Sequence, residues 1–177
     1  MSKIYIETER MIFRDWKDSD TDAFIKMNQN EEVMKFFPNT LSPEKSLLLL
    51  KKLAEHFKKW DYGFFAVELK STSKFIGFNG LYHPTFKSHF TPCVEIGWRL
   101  QSDVWRQGLA SEGASAILDY ARDTIKLSEV YSFTTQSNLP SYKVMEKIGM
   151  TYVEDFMHPE LEANHPLAKH VLYKKAL

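Results

Sequence analysis

Glu95-Ile96-Gly97-Trp98-Arg99-Leu100, followed by Gln101-Ser102-Asp103-Val104 and then Trp105-Arg106-Gln107-Gly108-Leu109-Ala110-Ser111-Glu112, reads as a strand, a short loop and a helix start. Along the strand, Val94, Ile96, Trp98 and Leu100 alternate to one face, and Glu95, Gly97 and Arg99 to the other. The helix carries an inward stripe of Ala110, Ala114, Ile117, Leu118 and Ala121. Backbone N–H groups of a first helical turn lack intrahelical partners and sit at the positive end of the helix dipole, so they suit phosphate oxygens. Gly108 would let such a ligand approach the backbone closely, and Arg106 adds a local positive charge. Taken alone, an ordinary strand-to-helix turn with a solvated Arg106 explains the same residues.

Upstream, Arg10 to Trp16 is β-compatible, and Asp18-Ser19-Asp20 supplies capping side chains for a helix to about Asn28. Ser42-Pro43-Glu44 starts a second helix, with serine as cap and proline at the first helical position. Its stripe of Leu47, Leu50, Leu53, Ala54, Phe57 and Trp60 is expected to face the core. Tyr62–Leu69 and Phe75–Tyr82 form an antiparallel hairpin, and a strand from Pro92 to about Gln101 follows. Downstream lie a strand at Val130–Thr135 and a helix at Leu139–Lys147, which Gly149 closes in the left-handed position. Strands at Met150–Met157 and His170–Lys174 complete the chain. The order β-α-α-β-β-β-α-β-α-β-β describes an α/β (α+β) mixed sheet of about seven strands with helices on its faces. With no linker or repeat, residues 1–177 read as a single domain.

Composition narrows the function. The 23 Lys plus Arg balance the 23 Asp plus Glu, so no global charge points to nucleic acid as a partner. The apolar run Leu47–Leu50 is cut off by Lys51 and Lys52, far short of a membrane span. The lone Cys93 cannot form an internal disulfide, and the N-terminal residues lack a secretory apolar run, so a cytoplasmic location is the expectation. The histidines show no metal-ligand spacing, so no metal is expected. Neither a Gly-x-x-x-x-Gly-Lys-Ser/Thr nor a Gly-x-Gly-x-x-Gly loop occurs, which removes the common nucleotide-binding loops.

Three segments in order resemble one family. Trp105-Arg106-Gln107-Gly108-Leu109-Ala110 resembles the pyrophosphate loop of GNAT acetyltransferases, Gln/Arg-x-x-Gly-x-Gly/Ala, with Trp105 departing from the first position, and continues as Ser111-Glu112-Gly113. Asn138-Leu139-Pro140-Ser141-Tyr142-Lys143-Val144-Met145-Glu146-Lys147-Ile148-Gly149-Met150 resembles the family's Asn-x-x-Ser-x-x-(apolar)-x-Glu-Lys-x-Gly-Phe block. Thr8-Glu9-Arg10-Met11-Ile12-Phe13-Arg14-Asp15-Trp16, with Asp20 and Asn30-Glu31-Glu32-Val33-Met34 beyond it, is similar to the N-terminus of the Rim-type (ribosomal-protein-alanine) branch.

The resemblance implies a GNAT-like, mostly antiparallel sheet and an acetyl-CoA-dependent N-acetyltransferase. It further implies a V-shaped opening between the strand ending near Leu100 and the strand Val130–Thr135. Backbone groups at Trp98 and Leu100 would hold the pantetheine and polarise the acetyl carbonyl. Arg106 and the amides of Gln107, Gly108, Leu109, Ala110 and Ser111 would hold the pyrophosphate. Asn138 would bind coenzyme A, although helix capping explains it almost as well.

Direct attack requires a neutral amine, and alkylammonium pKa values near about 10, or about 8 for an α-amino group, demand a base. Glu95 is the candidate, directly or through water, and a structural acid satisfied by neighbouring donors is the equal alternative. His83 and His158 are lesser candidates. For the thiolate leaving group the candidate acids are Ser141 and, next to it, Tyr142. Phe36, Phe37, Tyr82 and His83, with Trp60, would line the acceptor site, where core packing explains them as well. No motif marks Cys93 as a nucleophile. A small amine or a protein N-terminus is the expected acceptor, and a monomer or homodimer the expected assembly. A non-catalytic coenzyme A sensor on the same fold is the alternative.

Overall fold

The computed structural model describes residues 2–177. Among them lie eight strands, β1 (Ile4–Glu7), β2 (Met11–Arg14), β3 (Phe64–Leu69), β4 (Lys74–Tyr82), β5 (Glu95–Leu100), β6 (Glu129–Thr135), β7 (Thr151–Met157) and β8 (Lys169–Ala176). Four helices connect them: α1 (Thr21–Gln29), α2 (Pro43–Trp60), α3 (Leu109–Tyr120) and α4 (Leu139–Lys147). The strands form one sheet in the order β1-β2-β3-β4-β5-β6-β8-β7. Every pairing is antiparallel except that of β5 with β6. The mixed sheet matches the expectation, with eight strands where about seven were read. The strand not foreseen is β1, a four-residue edge strand that leaves Ile4 48% exposed and so lacks a buried face for the sequence to advertise.

Helices cover both faces. Alternation along the strands, shifted once by an irregularity at Ile76 of β4, sends Phe65, Val67, Ile76, Leu81, Ile96 and Leu100 into one core with Leu109, Ala114, Ile117 and Leu118 of α3 and Met145 of α4. Ala66, Phe75 and Phe78 enter the opposite core with Phe24 and Met27 of α1. The α4 boundaries fall where the sequence placed them, and Gly149 takes φ +79° just past its end. There the Gly149 N–H bonds to Glu146 O and the Met150 N–H to Met145 O, closing the last turn.

α2 corrects the expected stripe. Ser42 Oγ accepts from Lys45 N at 3.2 Å and caps the helix as read, but Leu47, Ala54 and Trp60 are exposed. The buried positions are Ser46, Leu53 and His56, with Leu49, Leu50 and Phe57 half-buried. Two polar residues turn inward because partners await them: Asn28 Nδ2 donates to Ser46 Oγ at 3.2 Å, and His56 Nε2 meets the His83 backbone N–H at 3.0 Å. A reading that sorts apolar from polar places the helix about one position out of phase.

A buried ion pair ties the first strands to α1. Arg14 and Asp20, 4% and 3% exposed, meet through two N–H to carboxylate bonds of 2.8 and 2.9 Å. Arg14 Nε also donates to Glu68 at 2.7 Å, and the Lys17 backbone N–H to Asp20 at 2.8 Å. Removing one partner strands a buried charge, so Asp20→Ala is expected to lower the unfolding free energy by about 3–5 kcal/mol in urea titrations. A loss below about 1 kcal/mol, the scale of a surface pair, would show that the pair does not hold this corner.

Candidate active site

The opening sits where β5 and β6 part. β5 pairs with β4 along its whole length, from Tyr82↔Glu95 to Gly77↔Leu100, and β6 pairs with β8 from Glu129 to Thr135. Between β5 and β6 the ladder holds only at Glu95↔Tyr131. There Tyr131 N donates to Val94 O and Ser132 Oγ to Ile96 O, each at 2.9 Å. Peptide groups of alternate residues point to the same side of a strand. Trp98 and Leu100 therefore turn their peptide groups toward the gap beyond Ile96. The indole Nε1 of Trp105 donates to Leu100 O at 2.9 Å and closes the far end of the gap.

The loop after β5 delivers the N-terminus of α3 to that end. Gly108 adopts φ +79° and Arg106 φ +61°, and the first intrahelical bond runs from Glu112 N to Gly108 O at 3.0 Å. The N–H groups of Gly108, Leu109, Ala110 and Ser111 thus have no intrahelical acceptor. A Cβ placed on Gly108 would meet only Arg10 Nη2, at 3.5 Å, so the surface beside it is open. Arg106 and Gln107 are exposed, whereas the Leu109 side chain is core and can offer only its backbone. Ser111 Oγ donates to Gly108 O at 3.0 Å.

A second arginine frames this loop and was not foreseen as a site residue. Arg10 bonds Glu112 through Nε at 2.7 Å and Nη2 at 2.6 Å, and donates through Nη1 to Gln107 O at 2.8 Å. Thr8 Oγ1 donates to the same Glu112 carboxylate at 2.6 Å. Burial alone would raise the Glu112 carboxyl, but the Thr8 and Arg10 bonds outweigh it and hold it below the usual carboxylate range. The N-terminal motif and the loop motif are thus one structure, brought together across about a hundred residues of sequence that give no local signal of the contact.

Glu95, Gly97 and Arg99 face the α1–α2 side of the sheet, as the alternation predicts. Glu95 is half-exposed along the opening and enclosed by protein elsewhere, and this loss of water pushes its carboxyl up to about 8. The carboxylate folds toward Gly97: a Cβ built there would lie 3.6 Å from Glu95 Oε1 and 3.1 Å from the Phe64 ring. Burial first, then the charges of Glu95 and Glu129, push the Cys93 thiol up to about 12, which makes it a poor nucleophile.

Two of the four aromatic positions expected at the acceptor site come together with this group. Tyr82 is the cross-strand partner of Glu95 and stacks on Phe64 with centroids 5.5 Å apart, and Phe37 lies on the Arg99 guanidinium at 4.3 Å. His83 joins the adjoining cluster, stacked on Trp60 at 3.7 Å with Nδ1 3.1 Å from His56 Nε2, and His56 stacks on Tyr82 at 4.3 Å, so the two groups are continuous. Burial lowers the pKa of both imidazoles. Phe36 carries the Lys35 ammonium over its ring and joins none of these stacks. The opposite wall was missed entirely. Tyr131 shares the face of Glu95 by register, and Phe90 stacks on Tyr131 and packs on Phe133 and Phe156, with Phe86 and His158 beside them. Phe86 and Phe90 lie in the loop between β4 and β5, where no periodicity marks an aromatic as inward.

On α4, Asn138 spends its amide on structure: Oδ1 accepts from Ser141 N at 3.3 Å and Nδ2 donates to Thr134 Oγ1 at 2.9 Å. Ser141 is half-buried and its hydroxyl finds no partner among the described residues. Tyr142 stacks nearly parallel to Tyr173 at 6.5 Å. Surface hollows of about 370 and 390 Å³ lie elsewhere, beside Ile148 and Leu177 and beside Arg14 and Asp20, and neither touches Glu95 or Gly108. The site is an open groove in the sheet, not an enclosed cavity. Among the described residues, no His/Cys/Asp/Glu group is placed to hold a metal, and no helix is long and apolar enough to cross a membrane.

Comparison with known proteins agrees with this architecture. The profile of the acetyltransferase (GNAT) domain matches residues 10–151. The uncharacterized N-acetyltransferase YnaD of Bacillus subtilis is 30% identical over 150 residues, which cover 83% of this chain and 82% of that protein. A solved GNAT-family acetyltransferase from Bacillus anthracis superposes with a TM-score of 0.80 at 26% identity, covering 99% of this chain and 98% of that one. RimL, a ribosomal L7/L12 α-N-protein acetyltransferase solved in complex with coenzyme A, shares the fold with a TM-score of 0.78 at 14% identity over 99% of this chain and 98% of its own. With a parted central sheet, a free helix N-terminus beside it and a domain match over most of its length, the chain belongs to the GNAT acetyltransferase family.

Proposed function

We propose that this acetyltransferase moves the acetyl group of acetyl-CoA to a primary amine, on a small molecule or a protein N-terminus, by direct attack in a ternary complex. The observation that carries the reading is the parting of β5 and β6 directly beside the free N-terminus of α3. The coenzyme A bound by RimL, which has this fold, supports the same use of the groove.

In this reading the amides of Gln107 to Ser111 and the Arg106 side chain seat the pyrophosphate, where dipole and unpaired N–H groups favour negative charge. Trp98 and Leu100 offer peptide groups to the pantetheine arm, which lies in the gap as a strand would. The Trp98 N–H polarises the thioester carbonyl as charge develops on its oxygen. Glu95 takes the ammonium proton, directly or through water, and the freed nitrogen attacks the carbonyl carbon. The carbon–sulfur bond breaks as the nitrogen gives up its second proton to solvent, and Ser141, with its unpartnered hydroxyl, or Tyr142 beside it gives the leaving thiolate a proton and regains one from solvent. Asn138 contributes by fixing the start of α4.

Two measurements test these roles. Gly108→Val adds a β-branched side chain at φ +79° on the open phosphate face. It is expected to weaken acetyl-CoA binding by at least about tenfold in calorimetry, the scale of losing one or two charge-assisted bonds, while circular dichroism stays that of the folded protein. Unchanged affinity would remove the pyrophosphate from this loop. A base must be deprotonated to act, so with Glu95 at about 8 the kcat/KM of an alkylamine acceptor, whose own ionisation at about 10 is kept apart, is expected to rise with pH through a limb near that value. Glu95→Gln is expected to erase that limb and lower kcat by about 100-fold or more. A limb that persists in the variant would pass the proton transfer to another group.

A further inference from the structure

Arg99 is a cation without a counter-ion. Arg10, Arg14 and Arg122 each hold a carboxylate, whereas Arg99 has none within ion-pair distance among the described residues. Its Nη1 donates to Asn28 Oδ1 at 2.8 Å, and Asn28, fully buried, is itself fixed through Nδ2 to Ser46 of α2. Phe37 and Phe78 pack on the guanidinium, 4.3 and 5.1 Å from its carbon, and hold its plane. The Nε atom is buried and makes no hydrogen bond among the described residues. Burial lowers its pKa to about 10, which still leaves it charged at neutral pH. An unsatisfied buried donor on a charged group is costly, and such groups mark places where a ligand completes the bonding.

Glu95 stands on the same face of the same strand, and no ion pair joins the two. Its carboxylate folds over Gly97. Arg99 lies two residues beyond Gly97 and four beyond Glu95, about 13 Å from it along the strand. A carboxyl and a guanidinium, neither in an ion pair, therefore share one face of β5, with the Phe64 ring over Gly97 between them.

We propose that the acceptor is an amine that also carries a carboxylate several bonds away, its ammonium end at Glu95 and its carboxylate on the Nε–Nη2 edge of Arg99. That edge presents two parallel N–H groups, which match the two oxygens of a carboxylate and which a lysine could not reproduce. Phe37, 41% exposed on the loop between α1 and α2, covers the face of the guanidinium rather than its in-plane edge. Both an ω-amino acid and a peptide with an acidic residue next to its N-terminus have this chemistry. The proposal rests on the amine acetyltransferase reading above.

The test compares matched acceptors in steady-state acetylation with acetyl-CoA: 4-aminobutyrate against its carboxamide, and the C-terminally amidated dipeptides alanyl-glutamate amide against alanyl-glutamine amide, so that each pair differs by one carboxylate. Wild-type protein is expected to favour the acid of at least one pair by about 10- to 100-fold in kcat/KM, and the pair that shows the preference tells a free amino acid from a peptide. Arg99→Gln is expected to bring that ratio to about one, and Arg99→Lys to recover only part of it. Equal use of acid and amide by the wild type overturns the Arg99 assignment and leaves the amine reading standing. If no amine in either pair or in a set of plain alkylamines is acetylated, the amine reading falls first and this one with it. Because the wild-type ratio is decisive by itself, a variant that fails to fold does not weaken the test.

Discussion

The single rung between β5 and β6 is the constraint on which the rest of the molecule depends. A sheet gains by pairing every peptide group, and unpaired edges inside it are costly. Here the ladder stops after Glu95↔Tyr131 because the two strands are pulled apart at their ends. β5 is drawn toward α3, with the Trp105 indole bonded to Leu100 O, and β6 turns into α4 through the Asn138–Thr134 contact. Peptide groups that would have joined a ninth strand are left facing a gap. Such a gap offers the hydrogen-bonding character that an extended, amide-containing chain needs.

The same parting organises the charges. The α3 end of the gap is positive, from four free N–H groups and from Arg106, and Arg10 is steadied there by Glu112. The α1–α2 face, reached by the opposite side chains of the same strand, carries Glu95 and Arg99 between aromatic walls. Strand alternation thus separates the backbone edge that faces the gap, at Trp98 and Leu100, from the side-chain face of Glu95 and Arg99 within six residues. Enclosure is what moves the Glu95 carboxyl into the range where it can exchange a proton near neutral pH.

Much of this was legible in the sequence because it is written in local rules. The period-two pattern from Val94 to Leu100, the proline and serine at the start of α2, and the glycine after α4 each act within a few residues. What was illegible depended on partners far away in the chain. Ser46 and His56 are buried because Asn28 and His83 meet them, and Arg10 belongs to the start of α3 because Glu112 holds it there. Phe86 and Phe90 build a wall from a loop, where neither helical nor strand periodicity operates. β1 is short and exposed, so its pairing with β2 is decided by the sheet rather than by its own residues. Asn138 illustrates what geometry adds: its amide caps α4 and bonds Thr134, the structural reading of this residue, while a second N–H and a second lone pair remain.

Amide hydrogen exchange with and without coenzyme A reads the central claim most directly, because the claim is about which backbone N–H groups gain a partner. The account predicts strong new protection at Trp98, Leu100 and Gly108 to Ser111, with the β1–β2 pair and the body of α1 unchanged. Protection that appears elsewhere, with these amides exchanging as before, would contradict it.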